Sequence, residues 1–385
     1  IGVLDSRLLV EGSNLIVDTP EDSPAGIANG GTPVDLKAFN KNFGAYVTDT
    51  FNVTQALSLT ASGRYNLANI DLEDQLGTDL TGNNRFTHIN PAFGGAYKLL
   101  PGLTAYAGFT ENNRTPTVGE IECSNPLQPC LLPSNLAGDP PTLRQVIAHT
   151  FEVGVRGAVR GTSDSAGTLS WNADLFRTNL DDDIYGIATS VSSGFFANIG
   201  ATRRQGIEAG LKYTAARWSS YFDYSYIDAT FESPLVLPSP SNPYRDADGN
   251  IQVEPGDRLP GIPQHRFKMG LDYNILPQWS AGASLVVVSD QDFFGDESNQ
   301  LGPMPGYHVV ELHSSYAITH RLEIFAAIDN LLDAKYATYG ILSDPTDIGA
   351  PGIPPGGVTN GPGVNNRFES PASPFSVMAG VRLYF

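Results

Sequence analysis

The sequence predicts an all-β chain, an antiparallel transmembrane β-barrel, and three observations carry that expectation. Apolar and polar residues alternate with period two in one stretch after another, the mark of strands with two unlike faces. The connections between those stretches alternate short and long along the whole chain. The composition, with 40 Gly, 28 Pro and 10% aromatic residues against 3 Met, provides for many turns and few helices.

Taken in order, a first strand is expected within 1–17. Further strands are expected at 43–53, 57–67, 87–99, 103–109, 147–156, 169–184, 207–213, 218–229, 266–275, 279–288, 307–318, 322–331 and 375–385, about 14 in all. The clearest is 266–275, where Phe267, Met269, Leu271, Tyr273 and Ile275 form one face and Arg266, Lys268, Gly270, Asp272 and Asn274 the other. The same division sets Phe151, Val153 and Val155 against Glu152 and Arg156, and Ile207, Ala209 and Leu211 against Glu208 and Lys212.

Short turns are expected at Thr54-Gln55, Pro101-Gly102, Ala215-Ala216, Pro277-Gln278 and 319–321, with 157–167 intermediate. Long loops cover 18–41, 70–84, 110–146, 185–194, 232–263, 290–305 and 338–373. A soluble sandwich has no reason to gather every long loop at one end. An outer-membrane barrel does, with short periplasmic turns and long extracellular loops. Closing the sheet also removes edges that would otherwise pair with other chains. The strand rhythm runs from residue 42 onward with no shift in composition, so 1–385 reads as one domain.

Twenty-three basic and 41 acidic residues leave a net charge of −18, which excludes a nucleic-acid binder relying on a basic face. No apolar run approaches the roughly 20 residues of a membrane-crossing helix. A mean hydropathy of −0.15 is compatible with a barrel that alternates its lipid face with a polar lumen face. Residue 1 is Ile and no leader pattern follows it, so the chain is expected to be a mature product or a fragment.

Several segments carry a family resemblance. The last strand places Phe375, Val377, Ala379, Val381, Leu383 and Phe385 on one face, with Ser376, Met378, Gly380 and Arg382 on the other, and resembles the terminal strand of bacterial outer-membrane proteins. The segments 109–120 (FTENNRTPTVGE), 199–209 (IGATRRQGIEA) and 328–336 (IDNLLDAKY), together with 123–130 (CSNPLQPC), resemble recurring stretches of TonB-dependent receptor barrels. The resemblance implies a barrel of roughly 22 strands plugged by an N-terminal domain. It implies residence in outer-membrane lipid, a C-terminal Phe385 read by the barrel-assembly machinery, and import of a scarce small-molecule ligand such as a ferric siderophore. TonB would act only through the plug. This sequence departs from the pattern in showing neither a plug nor a TonB box, so 1–385 is expected to be a partial barrel, about 14 of those roughly 22 strands. The alternatives are a stand-alone passive pore and a structural barrel that transports nothing.

No catalytic constellation and no cofactor signature is legible, so no enzyme is expected. Cys123 and Cys130 flank a short Pro-containing segment and are expected to form a disulfide in an oxidising compartment; without a nearby His they make only half a zinc site, so no metal is expected. Glu152, Arg156, Asp174, Glu208, Lys212, Arg266, Lys268, Asp272, Glu311 and Arg382 share the inward parity. They read either as hydrated wall charges pairing with one another or with a plug, or in part as the lining of a substrate path. Asp49 breaks the rule by sharing parity with Phe51 and Val53. Trp171, Trp218, Trp279 and Tyr384 fit interfacial girdles or simple sheet packing. On the long-loop side, Arg114, Glu120, Arg144, Arg203, Arg204, Arg258, Tyr336, Tyr339 and Arg367 are the candidates for contact with a ligand, since Arg grips carboxylate or catecholate oxygens with two donors at once.

Overall fold

The structure, a computed structural model, describes residues 15–16, 35–75, 81–124, 130–131, 143–161, 167–188, 193–343 and 366–384. In chain order the elements are β1 (Leu15–Ile16), β2 (Asp35–Asn52), β3 (Leu57–Asp74), β4 (Gly82–Leu100), β5 (Leu103–Arg114), the helix α1 (Val118–Glu122), β6 (Cys130–Leu131), β7 (Val146–Arg160) and β8 (Thr168–Asp181). They continue with β9 (Ile184–Ala188), β10 (Ser193–Asn198), β11 (Thr202–Thr214), β12 (Trp218–Phe231), β13 (Leu235–Pro238), β14 (Asn250–Val253) and β15 (His265–Leu276). The last are β16 (Trp279–Val288), β17 (Tyr307–Thr319), β18 (Leu322–Asp329), β19 (Ala337–Leu342), β20 (Arg367–Pro371) and β21 (Ser376–Leu383).

Fourteen of these strands form one antiparallel sheet in the order β1-β2-β3-β4-β5-β7-β8-β11-β12-β15-β16-β17-β18-β21, each paired with its nearest sheet neighbour in sequence. The remaining β6-β10-β9, β13-β14 and β19-β20 ladders lie within the long loops. Every expected strand from 43 onward has its counterpart. Among the described residues no ladder joins β21 to β1 or β2, in keeping with the partial barrel expected, whose closure would call on further strands. No helix among the described residues is long and apolar enough to cross a membrane.

Several boundaries need correction, and one physical cause explains most of them. β2 starts at Asp35 inside the expected 18–41 loop; β3 and β4 run to Asp74 and from Gly82, through most of the expected 70–84 loop. Lower on these strands the apolar row faces outward, with Phe43, Val47, Phe51, Leu59, Phe93 and Tyr97 exposed. Towards the long-loop end the buried hydrocarbon moves to the opposite parity. Ala68, Ile70 and Leu72 of β3 and Phe86 of β4 belong to the inner row, and Ile70, Leu72 and Phe86 pack with Ile121 and Val118 of α1. Val146, Leu180, Phe231, Val288 and Val309 show the same inversion near the tops of their strands. A search for one constant alternation therefore stops where the inner row turns apolar.

The expected loops at 185–194 and 338–373 contain strands of their own, β9 with β10 and β19 with β20. The 169–184 strand ends at Asp181, where Asp182 takes a positive φ of 57° and turns the chain into β9. The long-short asymmetry holds throughout, with the short connections at 53–56, 101–102, 161–167, 215–217, 277–278 and 320–321.

Among the described residues the wall has a seam between β4 and β5. The β4–β5 ladder stops at Ala92↔Thr110, just below Pro91, which has no N–H to donate; above it β4 pairs only with β3 and β5 only with β7. Side chains bridge the gap instead. Asn66 and Asn90 donate to Asn113 Oδ1 at 2.9 and 2.8 Å, Asn113 donates to Gln145 Oε1 at 3.0 Å, and Gln145 donates to the Thr87 carbonyl at 2.9 Å. Beside them the His88 ring lies 2.7 Å from Glu111, whose other oxygen is 3.4 Å from His149.

Candidate functional site

At the long-loop end the connections fold onto one another and onto the inner faces of the strands. Phe231 and Ile251 are almost completely buried among Ile187, Ile199, Leu237, Val253 and Leu259, residues drawn from the two connections that join β8 to β11 and β12 to β15. A second cluster joins Phe293, Met304, Ala337 and Leu342. Backbone bonds tie these loops to each other, with Phe294 donating to Gly340 O at 3.0 Å and Leu342 donating to Phe294 O at 2.8 Å. The result is a structured cap on an open wall.

The candidate arginines sit around this cap, each against a carboxylate or a ring. Arg114 ends β5 and reaches both oxygens of Glu120 at 2.9 and 3.0 Å. Glu120 also accepts from the Thr117 backbone N–H while Thr117 Oγ1 accepts from Glu120 N, a capping box that starts α1. Two of the candidates are thus brought together, in a pair that fixes the entry to α1. Arg144 pairs with Asp182 at 2.7 Å, Arg203 with Glu232 at 3.0 Å, and Arg204 with Asp183 at 3.0 Å. Arg203 and Arg204 are consecutive on β11 and therefore point to opposite faces. Arg258 pairs with Asp292 at 3.0 Å. The Arg367 guanidinium lies 5.4 Å from the Phe293 ring centroid. Tyr336 packs on Tyr307 with centroids 4.4 Å apart, and Tyr339 on Phe294 at 5.2 Å. The arginines are spread around the cap rather than gathered in one cluster.

Sequence reasoning missed the cap's acidic centre. Asp292, Asp296 and Glu297 are buried together on the loop between β16 and β17. Burial raises the Asp292 carboxyl above its ordinary range, with the Arg258 guanidinium pulling the other way. Burial likewise raises Asp296, opposed by hydrogen bonds from the Leu301 N–H and the Asn242 amide. Glu297 is raised by burial, against donors that include the Gly295 N–H and the Tyr185 hydroxyl. Tyr185 is pushed well above the usual phenol value by burial and by Glu297. A signal was present in the sequence: 290–297 reads Asp-Gln-Asp-Phe-Phe-Gly-Asp-Glu, an unusual mixture of carboxylates and aromatics for a solvated loop.

Lower on the wall, Glu152, Arg156, Asp174, Glu208, Lys212, Arg266, Lys268, Asp272, Glu311 and Arg382 all lie on the face opposite the apolar rows of their strands. Asp174 stands directly across the ladder from Glu208. The Arg156 guanidinium sits over the Tyr106 ring at 5.4 Å, Asp272 lies 2.7 Å from His313, and Glu311 accepts from Ser284 at 2.9 Å. Arg382 pairs with Glu323 at 2.9 Å. Trp171, Trp218, Trp279 and Tyr384 are at the short-turn ends of their strands; Trp218 packs on Tyr273 at 4.3 Å. Cys123 is disulfide-bonded and buried beside α1. The side chain of Cys130 and the whole of Phe385 lie outside the described residues.

The model of the TonB dependent receptor-like, beta-barrel family matches residues 9–331. A probable TonB-dependent siderophore receptor, PiuA of Acinetobacter baumannii, is 25% identical over 193 residues, covering 50% of this chain and 24% of that protein. Its crystal structure aligns over 91% of this chain and 44% of its own at TM-score 0.62 and 16% identity. The copper transporter OprC aligns over 91% of this chain and 48% of its own at TM-score 0.63 and 19% identity. For the ferric citrate transporter FecA in its unliganded form the coverages are 91% and 46%, at TM-score 0.58 and 18% identity. The chain spans less than half the length of each of these relatives.

Proposed function

The chain belongs to the TonB dependent receptor-like β-barrel family, and from that premise we propose that it supplies the wall and outer cap of an outer-membrane receptor for energised uptake of a ferric siderophore. The wall would stand in outer-membrane lipid, placed there by the barrel-assembly machinery, with TonB acting through a plug that 1–385 does not itself provide. The observation that carries this reading is that, among the described residues, the structured loops with their surrounding arginines lie at one end of an antiparallel wall whose outer face is apolar. A passive pore needs an open mouth. A cap with buried clusters and loop-to-loop ladders is suited instead to holding a ligand before passage.

Arg114, Arg144, Arg204 and Arg258 would meet an anionic iron complex by turning guanidinium donors towards it while each keeps a carboxylate contact. The test is uptake of 55Fe, presented in turn as catecholate, hydroxamate and citrate complexes, by cells with and without the encoding gene. Gene-dependent uptake of at least one complex that ceases when TonB is deleted is the expected result. Gene-dependent uptake that continues without TonB would overturn the reading in favour of a passive pore. Unchanged uptake of all three would overturn the assignment to a ferric siderophore.

A further inference from the structure

We propose that the cap contains a preformed pocket for an uncharged, ring-bearing small molecule with a hydroxyl group, a site separate from the arginine ring and suited to a different chemistry. The cavity has a volume of about 360 Å³ and lies between β9, β10, β13, residues 294–297 and β19. That is within the size range of small-molecule sites. Its walls are mostly hydrocarbon, supplied by Ile187, Phe196, Leu237, Phe294, Tyr339 and Leu342.

One polar group dominates its interior. Glu297, 5% exposed, lines the cavity. Its Oε1 accepts from the Tyr185 hydroxyl at 2.8 Å and from the Gly295 N–H at 3.0 Å. A carboxylate has about four acceptor positions, and these two donors together with the Glu297 N–H use three of them. A hydroxyl on a bound ring therefore has an acceptor to meet, next to a stacked Phe294–Tyr339 pair that offers an aromatic face.

Charge separates this site from the anion-binding reading of the rim. No Arg, Lys or His lines the cavity, so nothing in it compensates a ligand carboxylate or an iron-bound catecholate. An anion would instead face Glu297 at close range in a medium that screens poorly.

The pocket is also held open before any ligand arrives. Gly295 O accepts from Ser239 Oγ at 2.6 Å and from Asn242 Nδ2 at 2.8 Å, fixing the loop that carries Glu297. The bonds between Phe294, Gly340 and Leu342 hold the opposite wall. Preorganisation of this kind lowers the ordering cost that binding would otherwise carry.

The experiment titrates the purified full chain, in a maltoside detergent, with 4-propylphenol and with 4-propylbenzoate, the latter anionic at pH 7, following ligand signals by saturation-transfer NMR. Saturable binding of the phenol, at least tenfold tighter than the benzoate, is expected. Ile341→Trp fills the cavity and should remove the saturable component, while slow amide exchange at Ile251 and Val253 reports that the cap is still folded. Should that variant fail to fold, Ser241→Leu narrows the cavity from its other side and is read in the same way. Absence of saturable phenol binding, equal affinity for the two probes, or phenol binding unchanged in a folded cavity-filled variant would each overturn the proposal. None of these outcomes depends on TonB or on uptake, so this pocket and the transport reading fail separately.

Discussion

The lower wall and the cap use the same strands and obey opposite rules. In the lower wall, hydrocarbon faces outward and charge faces inward, as Leu175 beside Asp174 and Met269 beside Lys268 illustrate. In the cap the inner row is hydrocarbon: Ile70 and Leu72 continue the row that carries Arg64 and Asn66, and Phe231 lies on the parity opposite the exposed Phe222. On the proposed membrane reading, the reason is the solvent each face meets. Lipid rewards an apolar outer row only over its own thickness, and above it the loops fold inward and provide an apolar surface on the other side. Stability in the wall comes mainly from continuous backbone ladders, and in the cap from buried side chains.

That contrast is tested most severely by Phe231→Ala. Phe231 is fully buried at the centre of the cap cluster, and its truncation should cost about 3–5 kcal/mol locally. Amide exchange should accelerate at Ile251, Val253 and Leu259 and remain slow at Leu271 in the lower wall. Faster exchange at both would mean that cap and wall open as one unit, which the comparison denies.

Next in size is a charge on the outer face of the lower wall. Leu175→Lys should cost about 2–4 kcal/mol in lipid, whereas removing an inward charge with Lys268→Ala should stay within about 0.5 kcal/mol. Denaturant titration in lipid vesicles, read from the loss of strand circular dichroism, measures both. Equal costs would show that Leu175 does not meet lipid.

The seam between β4 and β5 is an intermediate case, a piece of wall held by side chains. Asn113→Ala leaves the Asn66, Asn90 and Gln145 amides without their shared partner and should cost about 1–3 kcal/mol. The loss should appear as faster exchange at Phe86 and Ala148, above the break, and not at Tyr97 or Val155 below it. Uniform acceleration along β4 and β5 would show that the seam is not an independent weak point.

How far the sequence foretold each region follows from these rules. The lower wall is legible because its two unlike faces impose a period of two, so Phe267 to Ile275 could be assigned to one face without any knowledge of partners. The extra length of β3 and β4 was hidden because the buried parity inverts there, and the apolar Ile70 and Leu72 match the face on which the lower strand carries polar groups. The seam was hidden because it depends on which strands stop pairing, which Pro91 alone does not reveal. Loop residues such as Arg114 and Glu120 could be recognised as chemistry-bearing, while their pairing required α1 to turn one towards the other. The acidic centre was least legible of all. Glu297 meets Tyr185 across 112 positions of sequence, and only the meeting of loops makes a solvated-looking carboxylate a buried one.

The smallest expected effect comes from pH, and it separates the regions by sign as well as size. Burial raises the carboxyls of Asp292, Asp296 and Glu297 above their unfolded values. In the window between the ordinary carboxylate range and those raised values the folded cap binds protons that an opened cap has released. Cap stability therefore increases as pH falls through that window, and the penalty of burying charge is fully present above it. Amide exchange at Leu301, corrected for the intrinsic pH dependence of the chemistry, should show stronger protection at the acid end, and Glu297→Gln should flatten part of that slope. Protection that weakens on acidification would mean that the donors around Asp296 and the Arg258 contact to Asp292 outweigh burial. The cap would then be held together by its charges, like the inner wall below it, and the distinction between the two regions would rest on hydrocarbon alone.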